Sequence, residues 1–196
     1  VPYSTSTDLL VLHTLRCVGF VSLARLSEAT GLPADDVESE LIDLAVAGQV
    51  THLPGDFGGW GITDTGKAVD LERTSAELDA AGARTATAKA LDDFLVLNPE
   101  LLDLCAAWQL SDHDDSAYDG RVLGAFLDLD QRVDPICAAL AAALERFARY
   151  RARFDSALAR AKAGELEFLA DSTSSYHAIW FQLHEDLLST LGIPRT

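Results

Sequence analysis

A chain of 196 residues, 48% hydrophobic and 23% charged, has a globular composition and length enough for one large core or two small ones, which excludes wholesale disorder. Its net charge of −16 opposes long-range attraction to nucleic acid or to an anionic membrane, and no apolar run reaches the ~18 residues of a membrane-spanning helix. No basic segment followed by an apolar run opens the sequence, so no secretory signal is expected, and Cys17, Cys105 and Cys137 lack CxxC spacing, which favours buried reduced thiols in the cytoplasm over a structural zinc site.

Ser6, Thr7 and Asp8 offer an N-cap for a helix-like run, Leu9 to Arg16, that stops at Gly19. Ser22 caps a second helix with Leu23, Leu26 and Ala29 on one face, ending at Gly31. Pro33 then stands near the first turn of a third helix, where its missing N–H costs nothing. Val37, Leu41, Leu44 and Ala45 keep the 3.6-residue period there until Gly48. Two helices joined by a short Gly-containing turn make a helix-turn-helix pattern. Residues 50–53 and 60–62 read as the strands of a hairpin turned by Pro54, Gly55, Asp56, Phe57, Gly58 and Gly59. Thr63 or Asp64 caps the helix that follows.

The phrases Ala47-Gly48-Gln49-Val50 and Ile62-Thr63-Asp64-Thr65-Gly66 resemble those of MarR-like winged-helix transcriptional regulators, in which they bracket the wing behind the recognition helix. The resemblance covers residues 8–75. It implies a winged helix-turn-helix domain, assigned to residues 1–81, with a regulatory function.

Residues 82–196 are expected to form a separate helical bundle or dimerisation domain, making the fold class mainly α. The helix of residues 71–81 breaks at Gly82. Residues 85–110 read as two helical pieces joined at Asn98-Pro99. A polar loop follows at Asp112, His113, Asp114 and Asp115, then a helix over 118–132. Asp134-Pro135 is expected to start the next helix, running through Ala161, and residues 172–191 form the last. The segments 97–105 and 175–187 resemble an actinobacterial domain usually labelled a transcriptional regulator, which in places accompanies PEP-utilising phosphotransferases. Arginine outnumbers lysine twelve to three, a bias that suits a GC-rich bacterium. The apolar stripe of the last helix, with Trp180 and Phe181 turned about 100° apart, makes a homodimer the expected assembly.

A helix-turn-helix protein reads DNA with its second helix, using Lys and Arg on phosphates. Here that helix carries Asp35, Asp36, Glu38, Glu40 and Asp43 and no basic residue. The wing offers Asp56, with Phe57 and Trp60 as aromatic candidates, Trp60 more naturally packed on the core. Direct DNA reading is therefore disfavoured. Regulation through a protein partner or a ligand is the main expectation, and the alternative is a non-catalytic accessory unit docking on an enzyme such as a PEP-utilising phosphotransferase.

Arg146, Arg149, Arg153 and Arg160 are spaced to share one helix face. They form either an exposed stripe for an acidic ligand or partner, or a set of internal partners for the excess carboxylates. Trp108, Tyr150, Tyr176, His177, Trp180 and His184 are candidates for a pocket between helices, with core packing the stronger reading. His177 and His184, seven apart, are ~10 Å from one another along a helix, too far to chelate one ion. With no GxSxG, P-loop or GxGxxG present, the sequence gives no case for an enzyme, a cofactor or a metal.

Overall fold

Glycine and hydroxyl side chains bound the first helices. In the structure, a computed structural model that describes residues 1–111 and 113–194, α1 (Thr7–Val18) ends at Gly19 and α2 (Leu23–Thr30) at Gly31, both with positive φ. Ser22 Oγ accepts the Arg25 N–H at the start of α2. After Pro33 the chain forms α3 (Ala34–Val46), and Leu12, Leu15, Leu26, Val37 and Leu41 close the first apolar cluster. Strands β1 (Val50–Leu53) and β2 (Gly59–Ile62) pair antiparallel, with Val50 opposite Ile62 and Leu53 opposite Gly59. Val21 adds a short bridge to Trp60 through two backbone hydrogen bonds of 2.8 and 3.1 Å. Trp60 is buried in this cluster, with the His52 ring stacked 4.4 Å away.

The phrase Ile62-Thr63-Asp64-Thr65-Gly66 has a physical reason. Thr63 caps α4 (Asp64–Ala80): its Oγ1 accepts the Gly66 N–H at 3.0 Å and donates to the Gly48 carbonyl at 2.7 Å. The first turn of α4 thereby lies against the chain entering β1. A Cβ at Gly66 would stand 2.0 Å from the Gln49 carbonyl oxygen, so only glycine permits the approach.

Three expectations about the remaining helices are corrected. Helix α5 (Arg84–Gln109) runs unbroken through Asn98-Pro99, and α6 (Ser116–Ala143) runs unbroken through Asp134-Pro135. An interior proline costs about 3 kcal/mol locally. The long α5–α6 contact, which buries Phe94, Leu101, Phe126, Leu129, Val133 and Leu140, outweighs that cost. The chain breaks instead at Leu144, which is extended and buried; Tyr3 pairs there, its N–H donating to Ala143 O and its carbonyl accepting from Glu145 N–H. A 3-10 turn (Glu145–Phe147) leads into α7 (Ala148–Lys162), and a second (Leu166–Phe168) follows. The last helix, α8 (Tyr176–Leu191), starts at Tyr176 and is capped by Ser175 Oγ. The start expected at residue 172 is too early because 172–175 is taken up by turns.

The fold is mainly helical, with one small antiparallel hairpin. A second apolar cluster, built by α5 to α8, stands beside the first. Helix α8 is the common neighbour, packing on α1 and α4 as well as on α5 and α7. Of the apolar stripe offered by the sequence as a pairing surface, Tyr176, Ile179, Trp180, Leu183 and Leu187 are buried within the chain, whereas Phe181 stays exposed. Among the described residues no helix is long and apolar enough to cross a membrane.

The two helical glycines of α6 provide a control for Gly66. Replacing Gly66 with Ala should lower stability by about 1–3 kcal/mol, as overpacking does. Gly120→Ala, where an added Cβ meets nothing within 4 Å, should instead stabilise by about 0.5–1 kcal/mol. Denaturant unfolding of both variants measures the contrast.

Candidate functional site

Helix α4 buries an unusual stripe. Its inward face carries Asp70, Thr74 and Glu77 beside Leu78, at spacings that put them on one side of a helix. Carboxylates so placed need partners, because an uncompensated buried charge costs several kcal/mol. Thr5 and Arg16 reach them from the edge, and their inner partners are His13 of α1 and Arg146 of the turn before α7.

Their meeting point is Asp186 of α8, which is fully buried. Its Oδ1 accepts from Arg146 Nη1 at 2.5 Å, His13 Nε2 at 3.0 Å and Thr190 Oγ1 at 3.1 Å. Its Oδ2 accepts from Arg149 Nη2 and Tyr150 OH, both at 2.8 Å. Five donors exceed the roughly four lone-pair positions of a carboxylate. The cluster extends outward from there. His13 Nδ1 donates to Asp70 at 2.8 Å, Arg146 Nε to Glu77 at 3.1 Å and Arg146 Nη2 to Thr190 Oγ1 at 2.6 Å. Thr5 donates to Glu77, Arg149 to Thr14, and Arg16 Nε stands 3.5 Å from Asp70.

Titration follows from this geometry. Burial favours neutral Asp186, but Arg146, His13 and Arg149 outweigh it and hold the carboxyl well below its ordinary value of 3.8. Burial likewise opposes a charge on His13, yet Cys17, Asp186 and Asp70 around the ring carry its pKa well above 6.5. Both ring nitrogens face carboxylates, so both donate and the ring is an imidazolium. His13, Cys17 and Asp186 bring their ligand atoms within 4.8 Å of one another. They do not suit a metal ion: the ring nitrogens are spent on protons, burial raises the Cys17 thiol's pKa, and Arg146 and Arg149 occupy the same carboxylate.

The arginine stripe is corrected accordingly. Arg146 lies in the 3-10 turn ahead of α7 and points into the seam, so it does not share the α7 face. Arg149 is buried on Asp186, not exposed. Arg160 pairs with Glu165, its Nε 3.1 Å from Oε2, and lies 3.6 Å over the Phe168 ring. Arg153 donates to Gln182 Oε1 at 2.5 Å and has no carboxylate within ion-pair distance among the described residues.

The expected recognition helix faces outward. Asp35, Asp36, Glu38 and Asp43 are exposed and Glu40 is half-buried; none has an ion-pair partner among the described residues. Burial, then the charges of Asp8, Asp43 and Asp36, raise the Glu40 pKa. The same surface exposes Ile42 and, at 86%, Val46, with Leu53 and the 97%-exposed Phe57 on the hairpin and Asp56 beside them. No Lys or Arg occurs between Arg25 and Lys67. Arg16 turns to Ser189 of α8, and Arg25 to Thr173 and Ser174.

The aromatic pocket candidates fill the second core. Trp108, Tyr150, Tyr176 and Trp180 are buried, with Trp180 stacked 4.3 Å on Phe94, and their polar atoms reach Asp171, Asp186, Asp130 and Asn98. His184 lies 5.6 Å from the Phe94 ring. His177 borders a cavity, beside Cys17 and Phe181, and burial lowers its pKa. In the polar loop, Asp115 caps α6 and the His113 ring meets Asp119 and Trp108; Asp112 lies outside the described residues. Sequence reading missed the Asp186 cluster. The signal was an acid inside an apolar stripe: Asp186 is three residues from Leu183 and seven from Ile179, as Asp70 and Glu77 are on α4.

Removing one partner from such a cluster leaves the others buried and unpaired. Asp186→Asn should therefore cost about 3–5 kcal/mol, measured by denaturant unfolding. The pH dependence has a definite sign. His13 is raised, so its contribution is complete below about pH 6.5 and declines as pH climbs through its folded pKa. Asp186 is lowered, so its contribution is complete above about 3.8 and declines as pH falls through its folded pKa. The stability gap between the wild type and His13→Gln should accordingly narrow above pH 6.5, as followed by thermal unfolding across the alkaline range.

Compared with protein-family models, curated proteins and solved structures, the chain matches none.

Proposed function

We propose that this chain is a winged-helix regulatory protein that works by docking α3 and the hairpin on a protein partner with basic residues, and not by reading DNA. The order α1, α2, turn, α3, hairpin, α4 supports the winged-helix part, as do the Thr63 cap and the close approach at Gly66. The outward face of α3 carries the rest. Its exposed acids have no ion-pair partner among the described residues, Ile42 and Val46 add an apolar end, and Lys and Arg are absent from α2's second turn to the start of α4.

Binding a duplex takes cations on phosphate, and each contact releases counterions. This face supplies carboxylates there instead, so approach to a phosphate backbone adds repulsion. The cations that might have compensated are bound elsewhere: Arg16, Arg25, Arg146 and Arg149 all turn toward the helical half or the seam. A basic partner with an apolar spot meets both features, its charges steering the encounter and Val46 and Phe57 supplying contact area.

Two measurements test the reading. In a mobility-shift assay on the DNA upstream of the protein's own gene, no retardation is expected at physiological salt; nanomolar, competitor-resistant binding would overturn it. Pull-downs from the host should recover a partner with wild type that is lost with Asp35→Lys/Glu38→Lys/Asp43→Lys and weakened by salt. Since these residues are exposed, the triple variant should unfold within about 1 kcal/mol of wild type.

A further inference from the structure

A cavity of about 280 Å³ lies where α2 meets α7 and α8. Its lining includes Arg149, Arg153 and Arg160, the Ser156 and Ser174 hydroxyls, and the apolar Ala157, Phe168 and Ile179, with Arg160 lying over the Phe168 ring. Two of the three cations are already neutralised, Arg149 by Asp186 and Arg160 by Glu165. The one carboxylate at the cavity, Glu28, accepts the Ser174 hydroxyl at 2.7 Å and stands 3.6 Å from Arg25. Arg153 remains. It is half-buried, its neighbours are Gln182 Oε1 and the Tyr150 ring at 5.8 Å, and no carboxylate of the described chain pairs with it. Arg149 Nε, buried in the same wall, also has no acceptor.

That vacancy is unexpected in a chain with 31 acids and 15 Lys and Arg. A guanidinium cannot shed its proton to escape burial, and a buried charge without a partner is costly. Carboxylates outnumber cations two to one, yet the one at this cavity, Glu28, is engaged by Arg25 and Ser174 and acts on Arg153 only from beyond ion-pair distance. The guanidinium fork suits a carboxylate or phosphate, which it can hold through two parallel hydrogen bonds.

We propose that the cavity binds a small organic anion, its carboxylate or phosphate head on Arg153 and its short apolar body against Ala157, Phe168 and Ile179. The volume, just below the ~300 Å³ at which ligand pockets begin, limits the body to a few carbons. Burial and the neighbouring Arg149 charge depress the Arg153 pKa, and an anionic head would relieve both. Glu28 and Gly31, at the end of α2, also line the cavity, Gly31 standing three residues ahead of α3. The occupant thus touches the element that carries the proposed docking face. This regulatory consequence rests on that reading, whereas binding itself does not.

Titration calorimetry of the intact chain with butyl phosphate, pentanoate, inorganic phosphate and 1-butanol tests the proposal. Saturable binding of butyl phosphate or pentanoate is expected, with Kd about 1 mM or tighter, and the stronger of the two identifies the head. Inorganic phosphate should bind more weakly than butyl phosphate, and 1-butanol should not bind. Arg153→Gln should lose roughly tenfold or more in affinity, and Arg153→Lys less. In the wild type, the better anion should shift the NMR signals of Ile179 and Phe168 and leave Leu41 in place, a readout independent of how any variant folds. No saturation by either organic anion, equal affinity of Arg153→Gln, or inorganic phosphate binding as well as butyl phosphate would overturn the proposal. None of these results depends on DNA or on a protein partner, so failure here leaves the docking reading to its own test.

Discussion

The Asp186 carboxylate fixes how the two cores meet, at the face where α8 packs on α1 and α4. Apolar contacts are strong but non-directional, and either cluster could bury its surface in more than one arrangement. A carboxylate with five donors around it admits far fewer. His13 from α1, Arg146 from the 3-10 turn, Arg149 and Tyr150 from α7 and Thr190 from its own helix all converge there. With His13 an imidazolium, the cations His13, Arg146 and Arg149, joined at the edge by Arg16, meet the acids Asp70, Glu77 and Asp186. Each acid of the cluster has a cation beside it, which fits a structural seam better than a metal or catalytic centre.

Charge is sorted by this arrangement. The seam absorbs several of the few arginines, so the surface left to α3 is more negative than composition alone would make it. That is the link between the interior and the outward face. Cations consumed in holding α8 to α1 and α4 are cations not available for phosphate. Arg153 is the departure from the pattern, held at the edge of the seam with a glutamine amide in place of an acid.

The N-terminal third was legible because its signals are local. Gly19, Gly31 and Gly48 end helices, Ser22 and Thr63 start them, and the hairpin is bracketed by turn residues. The prolines misled for the opposite reason. Pro99 and Pro135 carry a local cost, and the α5–α6 contact that overrides it joins residues far apart in sequence. The break at Leu144 had no local mark at all: Ala142, Ala143 and Glu145 are good helix formers, and the extended residue is imposed by Tyr3. That break also rotated Arg146 out of the expected stripe. The acids of the seam were visible in the sequence as polar residues at core spacing, but which cation each would meet depended on a register no single helix encodes.

Synthesis gives the seam a direction in time. Asp186 and its histidine partner are separated by 173 residues, and α8 leaves the ribosome after α1, α4 and α7. Until then His13, Arg146 and Arg149 have emerged without the carboxylate they share, and these side chains remain hydrated. Long-range pairing of this kind is slow to form, since the intervening chain must be ordered first. Emergence of α8 and closure of the polar interior are therefore coupled. A chain halted before α8 would present to the cell's proteases and chaperones an α4 face charged where the finished protein is dry.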